Sequence, residues 1–213
     1  MKTKVILTCF ICLILISGCT VLSFYPLYTP NELIRDDRII GKWKSDGLNF
    51  NSDSLIWEVS FNEKIWKKIL NNPFDRGSKE IQNHFTYTLH LYSQSHPEER
   101  AEFHLHLVEL DGKLYLDFYP ENWNMSNGIL AIHLMYVHTF ARIEISDQLE
   151  IAWFSTEWLQ EQFAKNRIRI KHENNGIYTL LTAQPKELQK FIIKYADEES
   201  KSSERMTFNL KKI

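Results

Sequence analysis

The sequence predicts a mainly β protein whose antiparallel strands form a sandwich or a closed barrel. Apolar and polar residues alternate along about ten short stretches, tight-turn residues separate several of them, and few segments have helical spacing. The chain of 213 residues is long enough for a sizeable core. We therefore expect one β-rich domain with a few helices at its periphery.

The N-terminal segment has the layout of a bacterial export signal. Lys2 and Lys4 supply positive charge, residues 5–16 form an almost unbroken apolar run, and small residues precede Cys19. The run is too short to span a bilayer, which takes about 20 apolar residues. This arrangement resembles the lipobox of bacterial lipoproteins, in which the chain is cut before the cysteine and the cysteine carries the lipid.

The lipobox resemblance implies a signal-peptide helix at residues 1–18 and a membrane anchor at the acylated Cys19. It places the mature protein in the bacterial cell envelope, where several acyl chains give stable attachment. Thr20 and Val21 include no aspartate, which resembles the pattern that permits sorting to the outer membrane in many diderm bacteria.

Cysteine usage and charge exclude several classes of protein. Cys9 and Cys12 lie in the predicted signal, so beyond Cys19 the chain has no thiol for a disulfide, a thiolate metal site or cysteine catalysis. Removal of Lys2 and Lys4 leaves 23 of the 25 basic residues against 27 acidic ones, a net charge of −4. This balance gives no reason to expect nucleic acid as a partner.

Residues 19–37 are expected to form a lipidated tether that becomes ordered along its length. Pro26 favours an extended chain at Tyr25. Pro30 and Glu32 then predict one short helical turn that ends by Arg35. A single β-barrel domain is expected to span residues 38–213.

Strands are predicted mainly where apolar residues alternate with polar ones. Asp111-Gly112 separates two such stretches and favours a type I′ hairpin, and Asn174-Asn175-Gly176 marks a second turn. The predicted strands cover residues 38–44, 55–61, 85–91, 103–107, 114–118, 129–144, 149–154, 167–172, 177–183 and 205–210.

Three helices are predicted between these strands. They cover residues 64–70, 155–165 and 185–196, and the last has apolar residues at the i, i+3, i+4, i+7 spacing of a one-sided helix. The charged, serine-rich stretch 197–204 is expected to be a mobile loop.

Gly41-Lys42-Trp43 resembles the Gly-x-Trp motif of lipocalins. The wider pattern is similar to a group of uncharacterised bacterial lipoproteins with a lipocalin-like barrel. The resemblance implies a lipocalin-like antiparallel β-barrel with two or three peripheral α-helices, and it implies no particular activity. The matching segments are residues 25–28, 41–43, 116–120, 137–140 and 187–191.

The aromatic residues of the predicted strands support two interpretations. A small barrel can hold one small ligand or fill itself with side chains. In the first interpretation the protein binds a small hydrophobic molecule or a lipid inside the barrel. The residues expected to line that site are Trp43, Trp57, Tyr87, Phe118 and Phe140, with Phe103 and Trp153 as further candidates.

In the second interpretation the same aromatic residues are core. The protein is then a structural or interaction module of the envelope, which docks on a partner protein through loops such as 120–128 or 197–204. Trp123 and Met125 would be the adhesive residues of the first loop.

A histidine patch gives a third hypothesis, a zinc-binding lipoprotein. A symmetric hairpin about residues 93–99 sets His90 opposite His104, and the Asp111-Gly112 turn sets His106 opposite Asp117. Imidazole nitrogens and a carboxylate are ligands that zinc uses. The alternative is that the patch faces solvent and that Asp117 only accepts a hydrogen bond from His106.

The remaining motifs give no sign of catalysis. The sequence has no Gly-x-Ser-x-Gly, no His-Glu-x-x-His and no glycine-rich phosphate loop. His133 and His138 lie five residues apart, so a regular strand puts them on opposite faces, and we expect a buried histidine bonded to backbone there. We therefore predict a protein that is not an enzyme and that needs no cofactor, with zinc as the alternative.

Overall fold

The computed structural model describes residues 20–45, 54–62, 85–121, 135–176, 178–202 and 205–213. The predicted signal peptide, Cys19, the helix at 64–70, Trp123, Met125 and His133 lie outside these residues. The described strands are β1 (Leu22–Ser23), β2 (Gly41–Ser45), β3 (Leu55–Phe61), β4 (Thr86–Ser93), β5 (His96–Leu110), β6 (Lys113–Pro120), β7 (His138–Ile145), β8 (Gln148–Trp153), β9 (His172–Asn174), β10 (Thr179–Leu181) and β11 (Thr207–Lys212).

Eight of these strands form a closed antiparallel barrel. Their order around the wall is β6-β5-β4-β3-β2-β11-β8-β7, and pairing of β6 with β7 closes the ring. β1 lies outside this ring, antiparallel to β7 and parallel to β10, and β10 pairs with β9. The prediction of a mainly β fold with a closed, lipocalin-like barrel is confirmed at the level of architecture.

Alternation along the strands divides the buried residues into two cores. Leu116 and Phe118 of β6 join the core inside the barrel, whereas Tyr115 of the same strand joins a second core outside it. The helices α1 (Thr156–Ala164) and α2 (Pro185–Glu199) contribute to this outer core. The wall formed by β5, β6 and β7 is therefore covered on both faces.

The N-terminal segment is part of the outer core and not a free tether. Val21, Leu27 and Leu33 are each less than 5% exposed. The backbone of Ile34 donates to Leu107 of β5 at 3.0 Å, and Glu109 donates back to Glu32 at 2.9 Å. The helical turn predicted to reach Arg35 stops at Glu32, whose N–H donates to the carbonyl of Thr29 at 3.2 Å. It goes no further because the bonds to β5 hold the chain beyond Glu32 against the barrel wall.

One end of the barrel is closed by a short 3₁₀ helix, Asp37–Ile39. The indole Nε1 of Trp43 donates to the carbonyl of Ile39 at 2.9 Å, and the backbone N–H of Asp36 donates to the Tyr87 hydroxyl at 2.9 Å. Gly41 follows with a φ of +138°, and a Cβ there would lie 3.0 Å from Cε of Lys212. Only glycine adopts this backbone readily.

The two predicted turns are present, with one difference in extent. Asp111 and Gly112 have φ values of 51° and 71°, as a type I′ hairpin requires. Gly176 has a φ of 85° in the turn between β9 and β10. The strand before that turn starts at His172, so residues 167–171, predicted as part of it, are unpaired with any described strand.

Helices α1 and α2 confirm two of the predicted helices, and α2 runs further than expected. It continues to Glu199 into the stretch predicted as a loop. The reason is burial: Glu199 is 3% exposed and accepts a hydrogen bond from the backbone N–H of Ser155 at 2.9 Å. Burial raises the pKa of the Glu199 carboxyl, while this hydrogen bond and Arg205 oppose the rise.

Trp43→Phe tests the closure of the barrel end. The change removes the donor to Ile39 and leaves a buried carbonyl unpaired, so we expect the free energy of unfolding to fall by about 1–3 kcal/mol. Trp57→Phe is the matched control, because the buried Nε1 of Trp57 has no acceptor among the described residues. Urea unfolding measures both, and an equal or larger loss for Trp57→Phe would contradict this account of the closure.

Candidate functional site

An apolar cavity of about 130 Å³ lies inside the barrel. It is near the end opposite the 3₁₀ helix, where β8 ends and β11 begins. Of the described residues that line it, Thr139 is the one without an apolar side chain. The lining residues are Trp57, Leu89, Leu91, Phe103, Phe118, Thr139, Trp153, Met206 and Phe208.

Aromatic rings from five of the described strands, β3, β5, β6, β8 and β11, frame this cavity. Phe118 of β6 stacks on Trp153 of β8 with ring centroids 5.1 Å apart, and Trp57 of β3 meets Phe208 of β11 edge-on at 5.5 Å. Such offset and edge-to-face contacts add to the stability that burial gives. They fix the rings against one another and leave the space beside them unfilled.

The size and lining of the cavity define what it can bind. Pockets for drug-sized ligands span about 300–1,000 Å³, whereas a dry apolar cavity of about 150 Å³ binds benzene or xenon. At 130 Å³ the site fits one ring or the end of an apolar chain. Among the described residues, its lining includes no titratable group.

The predicted ligand-lining residues divide into three groups. Trp57 and Phe118 line the cavity, as do Phe103 and Trp153. Trp43 and Tyr87 do not, because their polar atoms bond to the chain around the 3₁₀ helix at the closed end.

Phe140 lies on the opposite side of the barrel wall from the cavity. It faces the outer core, where its ring meets Phe154 at 5.4 Å. Its neighbour Ala141 faces the barrel interior, and adjacent residues of a strand point to opposite faces. The prediction that Phe140 lines the barrel is therefore wrong.

Sequence analysis missed five residues that line the cavity. Met206 and Phe208 carried a usable signal, because they alternate into Leu210 along the last predicted strand. For the other three residues, the residue type alone could not distinguish a side chain that lines the cavity from one packed in the core. The missed residues are Leu89, Leu91, Thr139, Met206 and Phe208.

The predicted histidine patch is brought together only in part. His106 lies opposite Asp117 and His104 lies opposite Tyr119, as expected. His90, however, pairs with Glu102, and His104 pairs with Thr88. The pairing of His90 with His104 is wrong because the β4–β5 turn is short, at Gln94-Ser95, and a register irregularity follows Tyr92.

The four predicted zinc ligands therefore do not converge. Nε2 of His90 lies 3.4 Å from Glu102, and Nδ1 of His104 lies 3.6 Å from Glu121. In the described part of the chain, no three histidine, cysteine, aspartate or glutamate side chains are arranged to hold a metal ion.

Asp117 instead forms a buried pair with His138. Its Oδ1 is 2.7 Å from Nδ1 of His138, and its Oδ2 accepts a hydrogen bond from the backbone N–H of Leu27 at 2.8 Å. Burial raises the pKa of the Asp117 carboxyl, and the contacts with His138 and Leu27 oppose that rise. The expected bond of His138 to backbone is therefore wrong, and the alternative to the zinc site, in which Asp117 accepts from His106, is not what the structure shows.

His106 has other neighbours beside this pair. Its Nε2 is 3.1 Å from the Thr86 hydroxyl and 3.3 Å from the Tyr28 hydroxyl. Tyr28 is partly buried, and burial together with the Asp117 charge raises the pKa of its phenol. These contacts tie the N-terminal segment to the outer face of β6. The cluster is structural in its geometry, since Asp117 has no exposed surface.

Asp117→Ala tests whether this pair holds the N-terminal segment. The change leaves the Leu27 N–H and His138 buried without their acceptor, so we expect the free energy of unfolding to fall by about 3–5 kcal/mol. Glu102→Ala is the control, because it removes the acid of the half-exposed pair with His90 and should cost less than about 1 kcal/mol.

Urea unfolding gives the two values, and limited proteolysis reports on residues 20–33. We expect Asp117→Ala to make this segment cleavable under conditions where Glu102→Ala stays intact. Equal stability of the two variants would contradict the structural role of Asp117.

The described residues include no helix that is long and apolar enough to cross a bilayer.

Comparison of the chain with models of known protein families, with curated proteins and with solved structures gives no significant match.

Proposed function

We propose that this chain is a lipid-anchored protein of the bacterial cell envelope whose barrel binds a small apolar ligand. The observation that carries the ligand proposal is the 130 Å³ cavity, lined by aromatic and aliphatic side chains within a closed barrel. The ligand is one aromatic ring, or the end of an apolar chain such as a lipid tail.

The anchor part of the proposal rests on the sequence. Lys2, Lys4, the apolar run at 5–16 and Cys19 resemble a lipobox signal. Val21 is 3% exposed and lies two residues after Cys19, and two residues span at most about 7 Å. An acylated Cys19 would therefore hold the barrel directly at the membrane surface. The absence of aspartate at Thr20 and Val21 favours the outer membrane.

The size of the cavity sets the expected affinity. Each methylene removed from water contributes about 0.8 kcal/mol, and a millimolar dissociation constant corresponds to about 4 kcal/mol. A ligand that only fills 130 Å³ therefore binds weakly. Tight binding requires a longer molecule whose remainder contacts the barrel mouth.

The filled part of the barrel supports a second candidate function. Leu105, Leu107 and Leu116 are fully buried inside it and leave the closed end packed. A barrel that is mostly side chains suits a structural or protein-interaction module of the envelope. A cavity that binds no ligand would favour this second function.

Methyl NMR of labelled methionine tests ligand binding directly. Met206 lines the cavity, whereas Met135 is 56% exposed and serves as an internal reference. In the full chain in lipid nanodiscs, titration with benzene should shift the Met206 methyl resonance saturably. The Met135 resonance should shift little.

Leu91→Phe provides the variant that fills the cavity, and Leu107→Met provides a control elsewhere in the barrel. We expect Leu91→Phe to weaken the benzene-induced shift of Met206 about tenfold, because the added ring occupies the ligand volume. Leu107→Met should leave it unchanged. A Met206 resonance that does not move at saturating benzene would refute the ligand proposal and favour the interaction module.

Lipidation is tested separately by labelled palmitate. In a diderm bacterium, the natural chain should incorporate the label and fractionate with membranes, whereas Cys19→Ser should lose both properties. Cys12→Ser is the matched control within the predicted signal and should behave like the natural chain. Equal labelling of Cys19→Ser would refute the anchor and leave the cavity proposal standing.

A further inference from the structure

A second, larger concavity lies outside the barrel. Its volume is about 590 Å³, within the range of established ligand sites. One wall is the chain from Asn166 to Lys171, and the other is one face of α2. The residues of α2 in this face are Glu187, Lys190, Phe191, Lys194 and Tyr195. We call this concavity the basic groove.

The first wall of the basic groove is an extended segment with a free edge. Ile168 and Ile170 are buried in the outer core, while Arg167, Arg169 and Lys171 between them are exposed. This period of two is the pattern of a β-strand. No described strand pairs with the segment.

Some backbone N–H groups of this segment form no hydrogen bond with any described residue. The N–H of Arg167 donates to Gln162, and the carbonyls of Arg167 and Lys171 accept from the Tyr195 hydroxyl and the Thr182 N–H. Between these two points, the N–H groups of Ile168 and Arg169 have no acceptor in the described part of the chain. Adjacent residues of an extended chain direct their N–H groups to opposite edges, so Arg169, in phase with Arg167, is the one on the edge that faces Tyr195. An unpaired strand edge is a template for an added strand.

The basic groove is positively charged, whereas the chain as a whole is negatively charged. Among the described residues, five basic side chains and one acidic one line it, although the chain as a whole has a net charge of −2. The acid, Glu187, lies 3.9 Å from Lys171, and both side chains are at least half exposed, so this ion pair contributes little. Arg169 and Lys190 form no ion pair with any described residue.

The floor of the groove is apolar and aromatic. Phe191 is 6% exposed and meets Tyr195 with ring centroids 5.5 Å apart. Nζ of Lys194 lies 4.8 Å above the Tyr195 ring. A ligand in the groove therefore meets basic groups along both walls and an aromatic surface beneath.

We propose that the basic groove binds an extended acidic peptide segment of a partner protein. Main-chain bonds to Arg169, on the edge that faces Tyr195, would add the peptide as a strand, the mode known as β-augmentation. Aspartate or glutamate side chains would meet the basic walls, and one apolar side chain would rest on Phe191. The five residues of the edge span about 17 Å, which fits a peptide better than a single phosphate.

This inference is independent of the barrel cavity and of Cys19. It predicts two properties of binding at the groove. Binding must depend on charge, because of the basic walls, and on the peptide main chain, because of the free edge. A membrane surface or an inorganic anion would satisfy only the first.

Fluorescence anisotropy with a labelled peptide of alternating glutamate and valine tests the proposal on the full chain in zwitterionic nanodiscs. Arg169→Glu and Lys190→Glu should each weaken binding about tenfold or more. Lys186→Glu is the matched control: it is exposed, lies one turn before Lys190 on α2 and is outside the groove. It should change affinity less than about twofold, and circular dichroism confirms that each variant is folded.

A second peptide separates main-chain pairing from charge. N-methylation of alternate amides keeps every carboxylate and removes the donors and the space for strand addition, so affinity should fall about tenfold. Unchanged binding of this peptide would overturn the proposal. Displacement of the parent peptide by inorganic phosphate or by anionic vesicles, at a phosphate concentration equal to that of the peptide carboxylates, would also overturn it. Equal losses of affinity for Lys186→Glu and Lys190→Glu would do the same.

Discussion

The wall formed by β5, β6 and β7 is buried on both faces, and the rest of the structure follows from this constraint. Along β6, Leu116 and Phe118 face the barrel interior while Tyr115 and Asp117 face the outer layer. A sheet with two apolar faces must be covered on both. The N-terminal segment, α1 and α2 provide the outer cover, so the barrel alone is only half of the packed domain.

Asp117 shows how this wall accommodates a charge. A carboxyl with no exposed surface is costly unless it is hydrogen-bonded, and His138 with the Leu27 N–H provides the partners. The same bonds fix the N-terminal segment on the wall. They therefore link the stability of the domain to the docking of this segment.

The sequence predicted the elements better than it predicted their surroundings. Alternation identified the strands of the barrel, and Asp111-Gly112 identified the β5–β6 register. The sequence could not show which way Phe140 points. Its strand is apolar on both faces, so the residue types do not distinguish the face inside the barrel from the face outside it. The sequence could not set His90 against Glu102 either, since that register depends on a turn whose length the sequence does not mark. Trp57 and Phe118 were identified at the cavity, whereas Thr139 could be placed there only once the strands closed into a ring.

The two concavities give the molecule complementary chemistry. The barrel cavity is small, apolar and bounded by stacked rings, and the basic groove is open, charged and edged by free main chain. The central claim is that the barrel keeps a real volume beside Trp153 instead of a fully packed interior. A crystal structure of the protein under xenon pressure tests it most directly. The account predicts one xenon atom in contact with Trp57, Phe118 and Phe208, and an interior without xenon, its rings closed over the space, would contradict it.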